Sequence, residues 1–144
     1  MNTPTSIGIL GLGIIGSRVA ENLRAAGHTV HVWSHTARSV PGALPTPQAV
    51  AQAATIIQIF VRDSAALLQA IRDMQPALTP SHIILNHATV SKAATLEAAA
   101  LTHASGATYL DAPFTGSKMA AQNGKLVYYI GGSAEALESV RPSL

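Results

Sequence analysis

Short apolar runs alternate along this chain with stretches whose apolar residues recur every three or four positions. That is the pattern of buried strands separated by amphipathic helices. Ile7–Leu10 reads as the first strand. Ile15, Val19, Leu23 and Ala26 then share one helical face, with Arg18, Glu21 and Arg24 largely off it, and Gly27 is placed to end the helix. Thr29–Trp33 is a second strand, and Thr55–Phe60 a third that is apolar enough to be buried on both faces. Ser64 to Met74 is helical, capped by Asp63 or Ser64 and stopped before Pro76. Ile83–Asn86 is the next strand, and Ser91 caps a helix running to about His103. Thr108–Leu110, a loop, Leu126–Ile130 and a short helix from Ser133 complete the run. Such alternation predicts βαβ units and a doubly wound, mostly parallel α/β sheet with right-handed crossovers. Ser39–Pro47, with Pro41, Gly42, Pro45 and Pro47, reads as a loop where a full fold of this kind inserts another helix and strand. The sheet is therefore expected to be abbreviated after its second strand.

The first strand breaks into three spaced glycines, Gly11, Gly13 and Gly16, around Leu12, Ile14 and Ile15, at the start of the first helix. A strand, a G-x-G-x-x-G turn and a helix in that order make a dinucleotide-binding turn of the Rossmann type. The first glycine takes the tight turn, the second leaves room for a pyrophosphate, and the third lets helix and sheet approach. The helix start then offers free N–H groups and a positive dipole end to phosphates.

Composition narrows the classes. At 144 residues the chain has the length of one domain, expected to span 1–144, and its 48% hydrophobic and 11% charged content exclude a disordered chain. It has no cysteine, so disulfides, thiolate nucleophiles and zinc ribbons are excluded. No apolar run reaches membrane-spanning length and no basic-then-apolar leader opens the sequence; a cytoplasmic protein is expected. The basic residues stand singly between Arg18 and Arg141, without the stripe a nucleic-acid partner needs. His28, His31 and His35 fall in a turn, on a strand face and past a strand end, which gives no metal geometry.

The second strand selects the cofactor. An NAD site usually places Asp or Glu at its end to bond the ribose 2′-hydroxyl. Here no acid stands between Glu21 and Asp63, and the strand ends in Ser34, His35 and Thr36 with Arg38 just beyond. Hydroxyls and cations suit a 2′-phosphate that an acid would repel, so NADP(H) is expected over NAD(H). The bland alternative is a polar loop start.

Three segments resemble one family. The glycine turn, Ala25-Ala26-Gly27-His28-Thr29-Val30 and Asp111-Ala112-Pro113-Phe114-Thr115-Gly116-Ser117-Lys118 are similar to the β-hydroxyacid dehydrogenases. That family includes 3-hydroxyisobutyrate dehydrogenase and the glyoxylate/succinic semialdehyde reductases, and shares its N-terminal domain type with 6-phosphogluconate dehydrogenase. Gly124-Lys125-Leu126 and Gly131-Gly132 match it as well. The chain departs from it at Ser34-His35, where the family reads Asn-Arg, and at Thr115, Ser117 and Ala88. The resemblance implies hydride transfer between a nicotinamide and a small hydroxyacid or semialdehyde. Thr115, Gly116 and Ser117 would hold the substrate carboxylate, although a plain turn also uses such residues. Phe60, Val61, Arg62 and Ser64 would pass the nicotinamide side of the cofactor, with Thr89 in the following loop. Asp63 and Ser64 can equally be helix caps, and Arg62 stands where the family often has a smaller residue.

The resemblance covers the first half of a family member. It implies a catalytic lysine on a later helix, and an all-helical domain that completes the cleft and a homodimer. No catalytic residue is assigned within these residues: Lys118 reads as a solvated loop lysine, and Asp111 as a strand end whose carboxylate anchors the loop through backbone N–H groups. The chain is expected to bind cofactor without appreciable turnover. The alternatives are a stand-alone module that senses or sequesters NADP(H), and an imine reductase, whose domain starts with a similar turn.

Overall fold

The computed structural model describes residues 5–144. Five parallel strands form one sheet: β1 (Ser6–Leu10), β2 (Thr29–Trp33), β3 (Ile56–Ile59), β4 (Ile83–Asn86) and β5 (Thr108–Asp111), in the order β2-β1-β3-β4-β5. The chain leaves β1 toward one edge and returns to continue toward the other. The switch in winding direction therefore lies between β1 and β3, where ligands bind in open sheets of this kind. The C-terminal strand ends Leu10, Trp33, Ile59, Asn86 and Asp111 share one edge of the sheet.

Helices cover both faces. Ile7, Ile9, Val30 and Val32 pack under α1 (Ile14–Ala25) with Val19, Ala20 and Leu23. Leu10, Ile57, Ile59 and Ile84 pack on the opposite side with α2 (Pro47–Ala53), α3 (Ser64–Met74) and α4 (Lys92–His103). Gly8 makes room for that layer, since a Cβ there would stand 2.5 Å from Val50 and 2.6 Å from Ile57. Leu85, Leu110 and Ala112 meet α6 (Ala134–Val140) through Ala136 and Val140. Among the described residues, no helix is long and apolar enough to cross a membrane.

Four local expectations change. The Pro-rich segment does run as a loop and no strand follows it, but it feeds α2, which the sequence reading did not include. Pro47 opens that helix, where its fixed φ is favourable and its missing N–H costs nothing, and Thr46 caps it through the Ala49 N–H at 3.0 Å. On the way, Val32 exchanges hydrogen bonds with Gly42 and Leu44, so the edge of β2 is partly covered. The expected strand Leu126–Ile130 shrinks to β7 (Val127–Tyr128), which pairs antiparallel with β6 (Phe114–Thr115) as a separate hairpin. Between them Ser117 caps a further short helix, α5 (Lys118–Gln122), so Lys118 opens a helix instead of standing in a loop. Ala26 is exposed beyond the end of α1, off the face expected for it.

Candidate functional site

The glycine turn leaves β1 at the switch point. Gly11 has φ +100°, donates its N–H to the Trp33 carbonyl at 2.9 Å, and sits so close to β3 that a Cβ would stand 2.3 Å from the Phe60 carbonyl oxygen. Gly16 is buried under the turn, where a Cβ would stand 2.0 Å from the Gly11 oxygen. Gly13 differs from both. Its φ of −73° is open to any residue, and nothing lies within 4 Å of the Cβ it lacks.

Gly13 is also the N-cap of α1, and no side chain caps that helix. Among the described residues the other five α-helices are all capped by a side-chain oxygen, from Thr46, Asp63, Ser91, Ser117 and Ser133. The first turn of α1 carries no acid either, so its N–H groups and positive dipole end are left open.

The bare helix start opens into a cleft of about 500 Å³. Gly11, Leu12 and Gly13 form its floor, Ser34, His35, Thr36 and Arg38 one wall, and Phe60, Val61 and Arg62 the other. Ile14 is exposed at the helix start, Ile15 packs into the core under α1, and Gly16 lies beneath the turn. Ser64 and Thr89 are not on the cleft wall. Ser64 Oγ accepts the Ser91 N–H at 3.4 Å and joins the starts of α3 and α4, while Thr89 is exposed in the loop after β4.

The fold adds groups that a linear reading could not place. Asp63, Gln69 and Asp73 of the α3 segment face the same cleft, although no acid lies along the β2–β3 connection. Asp63 is committed to the Ala66 N–H at 2.8 Å and stands 3.4 Å from Arg62, and Asp73 accepts from Gln69 at 2.8 Å. Arg38 has no acidic partner among the described residues. A slightly larger groove of about 560 Å³ lies between α1 and the hairpin, lined by Leu23, Leu126 and Leu137. We place the site at the cleft, because the groove holds neither the glycine turn nor the open helix start.

Thr115, Gly116 and Ser117 are exposed at the β6–α5 corner and do not line the cleft. Ser117 Oγ accepts the Ala120 N–H at 3.2 Å. Gly116 takes φ +139°, where a side chain would be strained. The Asp111 carboxylate accepts no backbone N–H among the described residues, contrary to expectation. The anchor is instead a backbone pair, Asp111 with Gly131, at 3.0 and 2.8 Å. Burial raises the carboxyl pKa of Asp111.

What links this corner to the cleft is a group of rings, of which the sequence singles out Phe60 but neither His87 nor Tyr128. Phe60 lies 4.6 Å from the His87 ring and 6.2 Å from Phe114, and His87 lies 4.7 Å from Tyr128. His87 Nδ1 donates to the Ala112 carbonyl at 2.7 Å, and Nε2 stands 3.0 Å from Gln58 Oε1. The orientation of that amide is set by its Nε2, which donates to the Ser143 carbonyl at 2.6 Å. A second proton on His87 would suit the Gln58 oxygen, but burial opposes it. Burial dominates, and the ring falls from 6.5 to about 4. Tyr128 is pushed up to about 12 by burial. Tyr109 is also pushed up to about 12, chiefly by burial; Asn86 acts against this and Asp111 adds to it. Asn86 does not reach hydrogen-bond geometry with Tyr109, whose buried hydroxyl has no partner among the described residues. The sequence signal for the histidine network was a glutamine inside an otherwise apolar strand and a histidine just past the end of another.

Residues 6–144 match the family described as the NAD binding domain of 6-phosphogluconate dehydrogenase. The chain is 31% identical over 147 residues to 2-hydroxy-3-oxopropionate reductase of Escherichia coli K12, covering 94% of this chain and 50% of that protein. A solved structure of 3-hydroxyisobutyrate dehydrogenase from Mycobacterium tuberculosis with L-serine superposes with a TM-score of 0.92 at 25% identity, covering 99% of this chain and 51% of that one. An imine reductase from Pseudomonas sp. shares the fold, with a TM-score of 0.88 at 20% identity and coverage of 99% and 52%. The chain thus spans about half the length of these relatives.

Proposed function

The chain belongs to the family of the NAD-binding domain of 6-phosphogluconate dehydrogenase, and from that premise we propose that its open α1 start seats the pyrophosphate of NADP(H). The domain would serve an oxidoreductase acting on a small hydroxyacid or semialdehyde. One observation carries the reading. Gly13 is a glycine that neither backbone angle nor packing requires, at the mouth of the only α-helix among the described residues without a side-chain cap. The residue type makes sense when an anion occupies that space.

Around that seat, Ser34, Thr36, His35 and Arg38 form a wall of hydroxyls, an imidazole and a guanidinium suited to a ribose 2′-phosphate. The acids that the fold brings into the cleft already have partners, and Arg38 has no acidic partner among the described residues. That favours NADP(H) over NAD(H) on this reading. A bound nicotinamide supplies the hydride acceptor or donor, and the protein supplies position and charge. Phe60, Val61 and Arg62 would shape the nicotinamide side. Thr115, Gly116 and Ser117 would offer hydroxyl and N–H donors to a substrate carboxylate. Residues 1–144 supply the cofactor seat, and NADPH consumption by them alone is expected to be negligible.

The phosphate preference is tested by competition. Adenosine 2′,5′-bisphosphate should bind about tenfold or more tightly than 5′-AMP, from which it differs only by the 2′-phosphate, and Arg38→Ala should remove most of that difference. Equal binding of the two nucleotides by the unaltered chain would refute the 2′-phosphate assignment.

A further inference from the structure

His87 sits where an apolar side chain would be cheaper. His87 is 1% exposed, and the Gln58 beside it, in the centre of the sheet, is fully buried. Burying two polar side chains costs free energy unless they satisfy something. His87 does so at one place, the carbonyl of Ala112, which it reaches at 2.7 Å. Ala112 is the root of the β6–β7 hairpin: its N–H donates to the Asn86 carbonyl at 2.8 Å, and two residues later the hairpin begins. The backbone N–H of His87 is itself fixed to the Ile59 carbonyl at 2.9 Å, at the end of β3.

Ring contacts complete the connection. The His87 ring packs on Phe60, whose carbonyl lies beneath Gly11 and whose Cβ would meet a side chain at Gly16, and on Tyr128 of β7. A single side chain therefore touches the residue under the cofactor turn, the root of the hairpin and its returning strand. We propose that His87 is a positioning residue that fixes the hairpin carrying Thr115, Gly116 and Ser117 against the glycine turn, through Ala112 and Phe60. The geometry stands by itself; the purpose, placing a substrate loop relative to a cofactor, rests on the function proposed above.

His87→Phe keeps a ring between Phe60 and Tyr128 but leaves the Ala112 carbonyl without its donor. Amide hydrogen exchange at Tyr129, which donates to Pro113, and at Gly131, which donates to Asp111, should speed up about tenfold or more. Amides of Ile57 and Ile84 in the sheet should keep their rates. Unchanged exchange at Tyr129 and Gly131 would overturn the proposal. The unaltered chain gives a second reading that does not depend on the variant folding. Imidazole ¹⁵N shifts of His87 should report the neutral Nδ1–H tautomer at pH 7, and an Nε2–H tautomer would overturn the clamp on Ala112. Saturating NADPH should slow Tyr129 exchange in the unaltered chain. If NADPH does not bind at all, the proposed function fails, while the free-protein comparison still decides the role of His87.

Discussion

Two glycines three residues apart should respond oppositely to the same added methyl group. At Gly16 an alanine Cβ would sit 2.0 Å from the Gly11 carbonyl oxygen and 3.2 Å from Phe60 Cβ. The first obstacle is backbone, so no rotamer change relieves it and either α1 or the turn must shift. Overpacking of this kind costs about 3 kcal/mol, offset by about 1 kcal/mol of helix propensity gained on replacing glycine. The net loss is about 2 kcal/mol, or roughly 6–10 °C in Tm for a chain of this length. At Gly13 the methyl meets nothing within 4 Å and the φ of −73° is unstrained. The entropy gained from the unfolded chain and the weaker capping of alanine nearly cancel, leaving stability within about 0.5 kcal/mol. The same methyl would project into the space assigned to the pyrophosphate. Thermal melts with and without NADPH, together with a fluorescence titration, separate the two effects. Gly13→Ala should melt with the unaltered chain and bind NADPH at least about tenfold more weakly. If Gly13→Ala bound NADPH as the unaltered chain does, the seat would be elsewhere. If Gly16→Ala melted with the unaltered chain, the close helix–turn contact would be wrong.

Other consequences follow from buried groups. The folded pKa of His87 is lowered to about 4, so its neutral ring adds stability that is complete above about pH 6.5 and is lost as pH falls toward 4. The shift corresponds to about 3 kcal/mol. The raised carboxyl of Asp111 works in the opposite sense, so the clean readout is the difference from His87→Phe, whose urea midpoint should depend less on pH across that window. Tyr109→Phe removes a buried hydroxyl that has no partner among the described residues; it should leave stability unchanged or raise it by about 1 kcal/mol, measured by urea unfolding. The Arg72–Glu97 pair, 2.7 Å long but about half exposed on each side, should contribute under about 1 kcal/mol in a double-mutant cycle.

Strong periodic segments were legible in the sequence. The second strand, the helix after Asp63 and the helix after Ser91 have the bounds that hydrophobic spacing and capping residues indicate. Short elements escaped. α2 and α5 have seven and five residues, too few to establish a helical period, and Pro47 at the start of α2 resembles a breaker until its position at the first turn is known. The β6–β7 hairpin has two residues per strand, and its partner Val127 lies beyond an intervening helix. The glycine turn could be read because its chemistry is local. The His87 network could not, since Gln58 and Ala112 lie 29 and 25 residues from the histidine and meet it only once the strands pair. Asp73 reaches the cleft for a similar reason, carried there by α3. Counting acids along the β2–β3 connection therefore describes one wall of the site, and the other wall is supplied by the fold.

The most direct measurement is a titration of the purified chain with NADPH and NADH. NADPH is expected to bind with a sub-millimolar Kd, about tenfold or more tightly than NADH. Absence of sub-millimolar binding for both would contradict the assignment of the glycine turn as a cofactor seat. NADH binding about tenfold more tightly than NADPH would contradict the 2′-phosphate role of Ser34, His35, Thr36 and Arg38.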